Sequence, residues 1–101
     1  MKTVEIKTSN LMPPALNWAV AMAENWAGAN FEVKPYSTDW AHGGPIIERE
    51  KISLEWTGED WMAYIRHDEE FFAPTPLIAA MRCYVASKLG DTVEVPQELT
   101  K

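Results

Sequence analysis

Residues 73–91, APTPLIAAMRCYVASKLGD, constrain this chain more than any other stretch. Thr75 can cap a helix, Pro76 suits its first position and Gly90 suits its end. Between them Leu77, Met81, Tyr84, Val85 and either Lys88 or Leu89 recur at helical spacing. One stripe of that helix should therefore face a sheet, and the rest of the chain must supply the sheet.

The remaining segments are short enough to do so. Val4 and Ile6 alternate with polar neighbours, as a strand would. In TSNLMPPALNWAVAMAENWAG, Thr8, Ser9 or Asn10 offers a cap, Pro13 and Pro14 a first turn, and Gly28 a stop. Leu16, Ala19, Val20, Ala23 and Ala27 mark one face of that first helix. Trp18, Met22 and Trp26 widen it, so the helix is expected to be covered on two sides. NFEVKPY reads as a strand ended by Pro35, followed by a loop over 36–45. Ile46 and Ile47 then begin an extended segment continuing through Ile52, Leu54 and Trp56. TGED turns it back into WMAYIRH, with Trp61, Ala63 and Ile65 on one side, forming a hairpin. TVEVP closes the chain as a strand with Val93 and Val95 on one face. The expectation is one α+β domain over residues 1–101, two helices packed on a small, largely antiparallel sheet.

Composition agrees with a folded domain. The 101 residues suffice for a single core, and 47% hydrophobic with 24% charged residues is ordinary for globular chains. No apolar run approaches the ~20 residues that span a bilayer. The start, MKTVEIKTSN, lacks the apolar centre of a signal peptide. Cys83 is the one cysteine, which excludes an internal disulfide and fits a reducing cytoplasm.

The charge balance also excludes a class of partner. Nine basic and fifteen acidic residues leave a net charge of −6. The basic residues are scattered, whereas the acids cluster at Glu55, Glu59, Asp60 and again at Asp68, Glu69, Glu70, as solvated turns. Phosphate contacts supply most non-specific nucleic-acid affinity and need a basic stripe, so direct DNA or RNA binding is not expected.

Catalytic patterns are weak. There is no Gly-x-Ser-x-Gly elbow, and Cys83 lies mid-helix in apolar company, as a small buried hydrophobe. His42 and His67 lack paired metal ligands at helical or hairpin spacing. Asp39, His42, Glu48 and Glu50 would converge only if the loop folded back, so no metal is expected. Asp39 followed by EREK approaches a nuclease pattern, but Arg49 occupies the place where the acid of the acid-x-lysine pair should stand. The reading is a protein with no catalytic residues and no cofactor.

Binding candidates concentrate in YSTDWAHGGPIIERE, residues 36–50. Gly43-Gly44-Pro45 suits a tight turn needing positive φ, or a backbone nest for an anion. Tyr36 and Trp40 suit either core packing or a stacking platform. Arg82, amid AAMRCYVA, must snorkel or meet a partner. It would form a salt bridge to Glu48 or Glu50, or else receive a phosphate or carboxylate.

Three stretches, ALNWAVAMAE, YSTDWAHGGPIIERE and PTPLIAAMRCYVASKLGDTVEVP, together resemble a family of small tailed-phage and prophage proteins of unknown function, the lambdoid NinX group. Its pattern is a helix with an A-L-x-W-A-V core, a YSTDWxxGGPIIER segment and a similar closing helix. Tyr36, Ser37, Thr38, Asp39, Trp40, Gly43, Gly44, Pro45, Glu48 and Arg49 match it. The likeness is weakest over 24–34 and 57–73. It implies a phage accessory protein in the bacterial cytoplasm and transfers no catalytic role.

The expected function is therefore non-enzymatic ligand binding that counteracts host defence, for instance by sequestering a nucleotide-derived signal. The candidate ligand-binding residues are Tyr36, Ser37, Thr38, Asp39, Trp40, Gly43, Gly44, Arg49 and Arg82. A homo-oligomer would help a domain too small to enclose a ligand. The alternatives are a protein–protein inhibitor or adaptor acting on a host or phage enzyme, and an accessory factor in phage DNA recombination or replication.

Overall fold

The computed structural model describes residues 2–66 and 69–100. His67 and Asp68, and with Asp68 the centre of the second acidic turn, lie outside the described residues. The elements run β1 (Thr3–Lys7), α1 (Ala15–Trp26), α2 (Trp40–Glu50), β2 (Ser53–Trp56), β3 (Trp61–Tyr64), β4 (Glu70–Ala73), α3 (Pro76–Leu89) and β5 (Thr92–Pro96). Short 3-10 turns cover Thr8–Asn10 and Gln97–Thr100. The class is α+β, as expected, but with three helices and two sheets among the described residues.

One sheet pairs β1 with β5, antiparallel, with Val4 opposite Val95 and Ile6 opposite Val93. The other is a β2-β3-β4 meander. Its first turn is the expected hairpin, with Leu54 opposite Ala63 and Trp56 opposite Trp61. Strand β4 extends it, aligning Phe71 with Ala63. Glu70, expected in a solvated acidic turn, is instead the first residue of this strand, in which Phe71 and Ala73 alternate with exposed neighbours.

Helix α3 starts as its sequence dictates. Thr75 caps it by accepting from the Ile78 N–H, Pro76 opens it, and Gly90 ends it at φ 95°. Every residue from Leu77 to Ala86 is buried, so the helix is covered all round rather than on one stripe. It packs against α1, α2 and the three-stranded sheet, and so forms the axis of the core. Among the described residues no helix is long and apolar enough to cross a membrane.

Several expectations fail. Residues 40–50 form a helix, not a loop followed by an extended segment. Asp39 takes the extended cap conformation and accepts from the Ala41 N–H at 2.9 Å. Ile46 is buried beneath the helix, and these two gains outweigh the poor helix formers Gly43, Gly44 and Pro45. Residues 30–35 are not a strand, because Phe31 and Val33 find no neighbouring ladder and stay exposed. Thr8–Asn10 do not cap α1, whose N-cap is Pro14 with no side-chain hydrogen bond. The second face of α1 is not covered: Trp26 is 69% exposed. Ile65 falls beyond β3 and is exposed, rather than continuing its inner face.

Candidate functional site

The 36–39 segment holds α2 in place. The Tyr36 ring is buried and its hydroxyl donates to the Glu32 carbonyl at 3.1 Å. Ser37 is buried too, donating through Oγ and its N–H to Asn17 Oδ1 at 2.6 and 2.8 Å. Asp39 is the helix cap. Thr38 and Trp40 are exposed, Trp40 by 52%. Trp40 is therefore not core.

The glycine pair is helical and neither residue has positive φ, so there is no tight turn and no backbone nest. Gly43 serves close packing instead. A Cβ there would stand 2.3 Å from the Tyr36 carbonyl oxygen and 2.5 Å from Leu77 Cδ1. A side chain at that position would push α2 away from the start of α3.

The far end of α2 carries a charged cluster. Arg49 grips Glu24 with both terminal nitrogens, Nη2 at 2.8 Å and Nη1 at 3.3 Å. Its Nε donates to Glu50 Oε2 at 2.9 Å, and Nη2 donates to the Tyr84 hydroxyl at 3.1 Å. The Tyr84 hydroxyl in turn donates to Glu24, and Lys88 pairs with Glu50 at 3.4 Å. Two carboxylates thus face two cations around a fully buried tyrosine ring.

The titration of these groups follows from their surroundings. Burial pushes the Glu24 carboxyl up, but hydrogen bonds from Arg49 and Tyr84 outweigh it and hold it below its ordinary value. Glu50 behaves alike, burial opposed and outweighed by Arg49 and Lys88. Hydrogen bonding to Glu24 raises Arg49. Burial, then the bond to Glu24, raises the Tyr84 phenol.

Beside this cluster lies an open cleft of about 420 Å³ between residues 29–36 and α2. Residues 29–36 supply Asn30, Glu32, Lys34 and Tyr36, α2 supplies His42 and Arg49, and α1 supplies Glu24. The Tyr36 and His42 rings meet edge-on at 6.4 Å, and His42 Nε2 is 3.9 Å from Asp39 Oδ2. Lys34 pairs with Glu32 at 3.2 Å, which raises its ammonium pKa. Both cleft cations are therefore already paired. The arrangement offers a ligand hydrogen-bond donors and acceptors more than net charge. Among the described residues no cluster of three or more His, Cys, Asp or Glu could hold a metal ion.

Of the expected binding residues, only Tyr36 and Arg49 line this cleft. Arg82 is far from it in role. Its Nε donates to the Leu11 carbonyl and Nη1 to the Phe72 carbonyl, both at 2.7 Å, and Nη2 to Met12 Sδ at 2.9 Å. The expected bridge to Glu48 or Glu50 is absent, because those acids lie on α2 and Glu50 is taken by Arg49 and Lys88. Buried away from water, the Arg82 guanidinium has a lowered pKa, and it staples the entry of α1 to β4. Cys83 is buried as expected, and burial lifts its thiol pKa to about 11.

A family model described as Bacteriophage P22, NinX matches residues 7–88. The chain belongs to the NinX family. That span contains all three helices nearly whole, the meander and every residue of the cleft, and leaves out β5 and most of β1. This NinX chain is accordingly a phage accessory protein, from a family of unknown function. No curated protein matches it. Glu24 and Lys34 were missed as site residues, yet Glu24 is the one charged residue in ALNWAVAMAENW and so signals an ion partner.

Proposed function

We propose that this phage accessory protein acts by binding a small hydrogen-bonding ligand, not by catalysing a reaction. The cleft of about 420 Å³ supports the reading, since it falls within the ~300–1,000 Å³ common for ligand sites and gathers polar groups from three parts of the chain. Because Lys34 and Arg49 are already paired, a polyphosphate would have to displace Glu32 or Glu24. A nucleoside-like or sugar-like ligand with at most one anionic group suits the lining better. Sequestering a nucleotide-derived signal of host defence is a role of this kind.

Native mass spectrometry of the protein purified from its host, before and after a panel of nucleosides, cyclic mononucleotides and free sugars, tests it. The expected result is one retained small-molecule mass, lost in His42→Ala, whose melting midpoint should stay within about 3 °C of the parent. A bare protein that ignores the panel would refute it. The half-exposed indoles of Trp40 and Trp56 favour a second reading, an inhibitor or adaptor anchored on a partner protein, to be sought by pull-down from host lysate.

A further inference from the structure

Helix α1 presents a stripe that water should not be left to cover. Trp18, Met22 and Trp26 sit four residues apart and share one face, with Trp26 69% and Met22 37% exposed. Phe31, 46% exposed, meets Trp18 edge-on at 5.9 Å. The only charged residue of α1, Glu24, is turned to Arg49 and Tyr84. The stripe itself is therefore apolar and uncharged, with the exposed Asn25 amide beside it.

We infer that this face joins two copies of the chain, with α1 antiparallel to α1 about a two-fold axis at Met22. The stripe reads Trp-Met-Trp in either direction, each indole lying about 6 Å along the axis from Met22. An isologous contact requires a patch complementary to itself, and a two-fold axis at Met22 sets each copy's Trp26 against the other's Trp18. Beside Trp18 lies a hollow of about 370 Å³, with Ala19, Met22, Leu89 and Val93 along its apolar side, Glu5 and Glu94 at its polar side, and room for an indole. The partner's Trp26 would fill it.

The area agrees with a dimer. Taking ~200 Å² for a fully exposed large side chain, Trp26, Phe31, Met22 and the half-buried Trp18 leave roughly 350 Å² of apolar surface per copy. Two such patches, at the ~65% apolar share of homodimer contacts, imply about 1,100 Å² in total, just above the ~1,000 Å² that a specific interface should clear. The surface adjoins the cleft through Phe31 in the 29–36 segment, but none of its four side chains lines the cleft, so failure of the dimer would leave the ligand reading standing.

Sedimentation of the intact chain should show a dimer at tens of micromolar, and Trp26→Glu should raise its dissociation constant at least ~30-fold. Met22→Cys should form an interchain disulfide on mild oxidation, whereas Thr57→Cys, at the exposed hairpin tip, should not. Cys83 is buried and does not compete. A parent chain that stays monomeric at about 100 µM, well above the micromolar end of specific interfaces, overturns the proposal. So does a dimer that survives Trp26→Glu unchanged, or a Met22→Cys chain that crosslinks no better than Thr57→Cys.

Discussion

At the scale of single residues, the two adjacent glycines of α2 do different work. Gly43 faces the Tyr36 carbonyl and Leu77, where a Cβ would come within 2.5 Å of both. Neither contact can yield cheaply, one being backbone and the other a buried side chain. Gly43→Ala should cost about 3 kcal/mol, the upper range of overpacking, and lower the melting midpoint by more than about 10 °C. Gly44 meets only the Trp40 ring, at 3.9 Å. Gly44→Ala should therefore act as an ordinary mid-helix replacement and gain about 0.5–1 kcal/mol. Thermal melts of the two variants, side by side, decide the point: equal and opposite small shifts would mean that the close approach of α2 to α3 is misread.

At the scale of elements, α2 ends on a residue that does not favour its conformation. Lys51 adopts φ 57°, ψ 47°, and the chain closes behind it with the Ile52 N–H donating to the Ile47 carbonyl at 3.1 Å. A left-handed non-glycine residue costs about 1 kcal/mol, partly offset by the favourable placing of a cation at a helix C-terminus. Lys51→Gly should thus gain about 0.5 kcal/mol, read as a higher urea midpoint at unchanged slope. A lower midpoint would show that the lysine charge outweighs the strain. Elements whose signals are local were legible in the sequence: α3 from Thr75, Pro76 and Gly90, and the hairpin from its alternation about TGED. Helix α2 was not, since Gly-Gly-Pro suggests a turn and only the seat of Gly43 on Leu77 and the burial of Ile46 reverse it. Strand β4 exists because β3 offers it an edge, and residues 30–35 are no strand because no edge is offered. The candidate site divides in the same way. Tyr36 and Arg49 were visible as motif residues, but Glu24 and Lys34 reach the cleft from segments that only tertiary structure brings beside α2.

At the scale of the whole molecule, the Glu24–Arg49–Tyr84–Glu50–Lys88 cluster ties α1, α2 and α3 together and makes their association depend on pH. Both carboxyls lie below their ordinary value of 4.5 when folded. The unfolded chain consequently binds more protons than the folded one through the acid range, and stability rises with pH there. Their contribution is complete above the unfolded value, from about pH 5.5 upward, and is lost as pH falls below about 4.5 through the depressed folded values. In acid, Arg49 and Lys88 are left as two cations beside protonated carboxyls. The remaining acids of the chain also titrate in this range, so the parent's pH dependence alone would not isolate the cluster. The difference between the parent and Glu24→Gln does isolate it, because the amide keeps the shape and cannot ionise. Urea unfolding should place Glu24→Gln about 1.5–3 kcal/mol below the parent at pH 7, the usual worth of hydrogen bonds to a charged group. That gap should narrow between pH 5 and pH 3 as the parent's Glu24 takes up its proton. A gap that stays constant over that range would mean Glu24 acts through packing alone, and that the three helices are held together by α3's apolar contacts without help from the ion cluster.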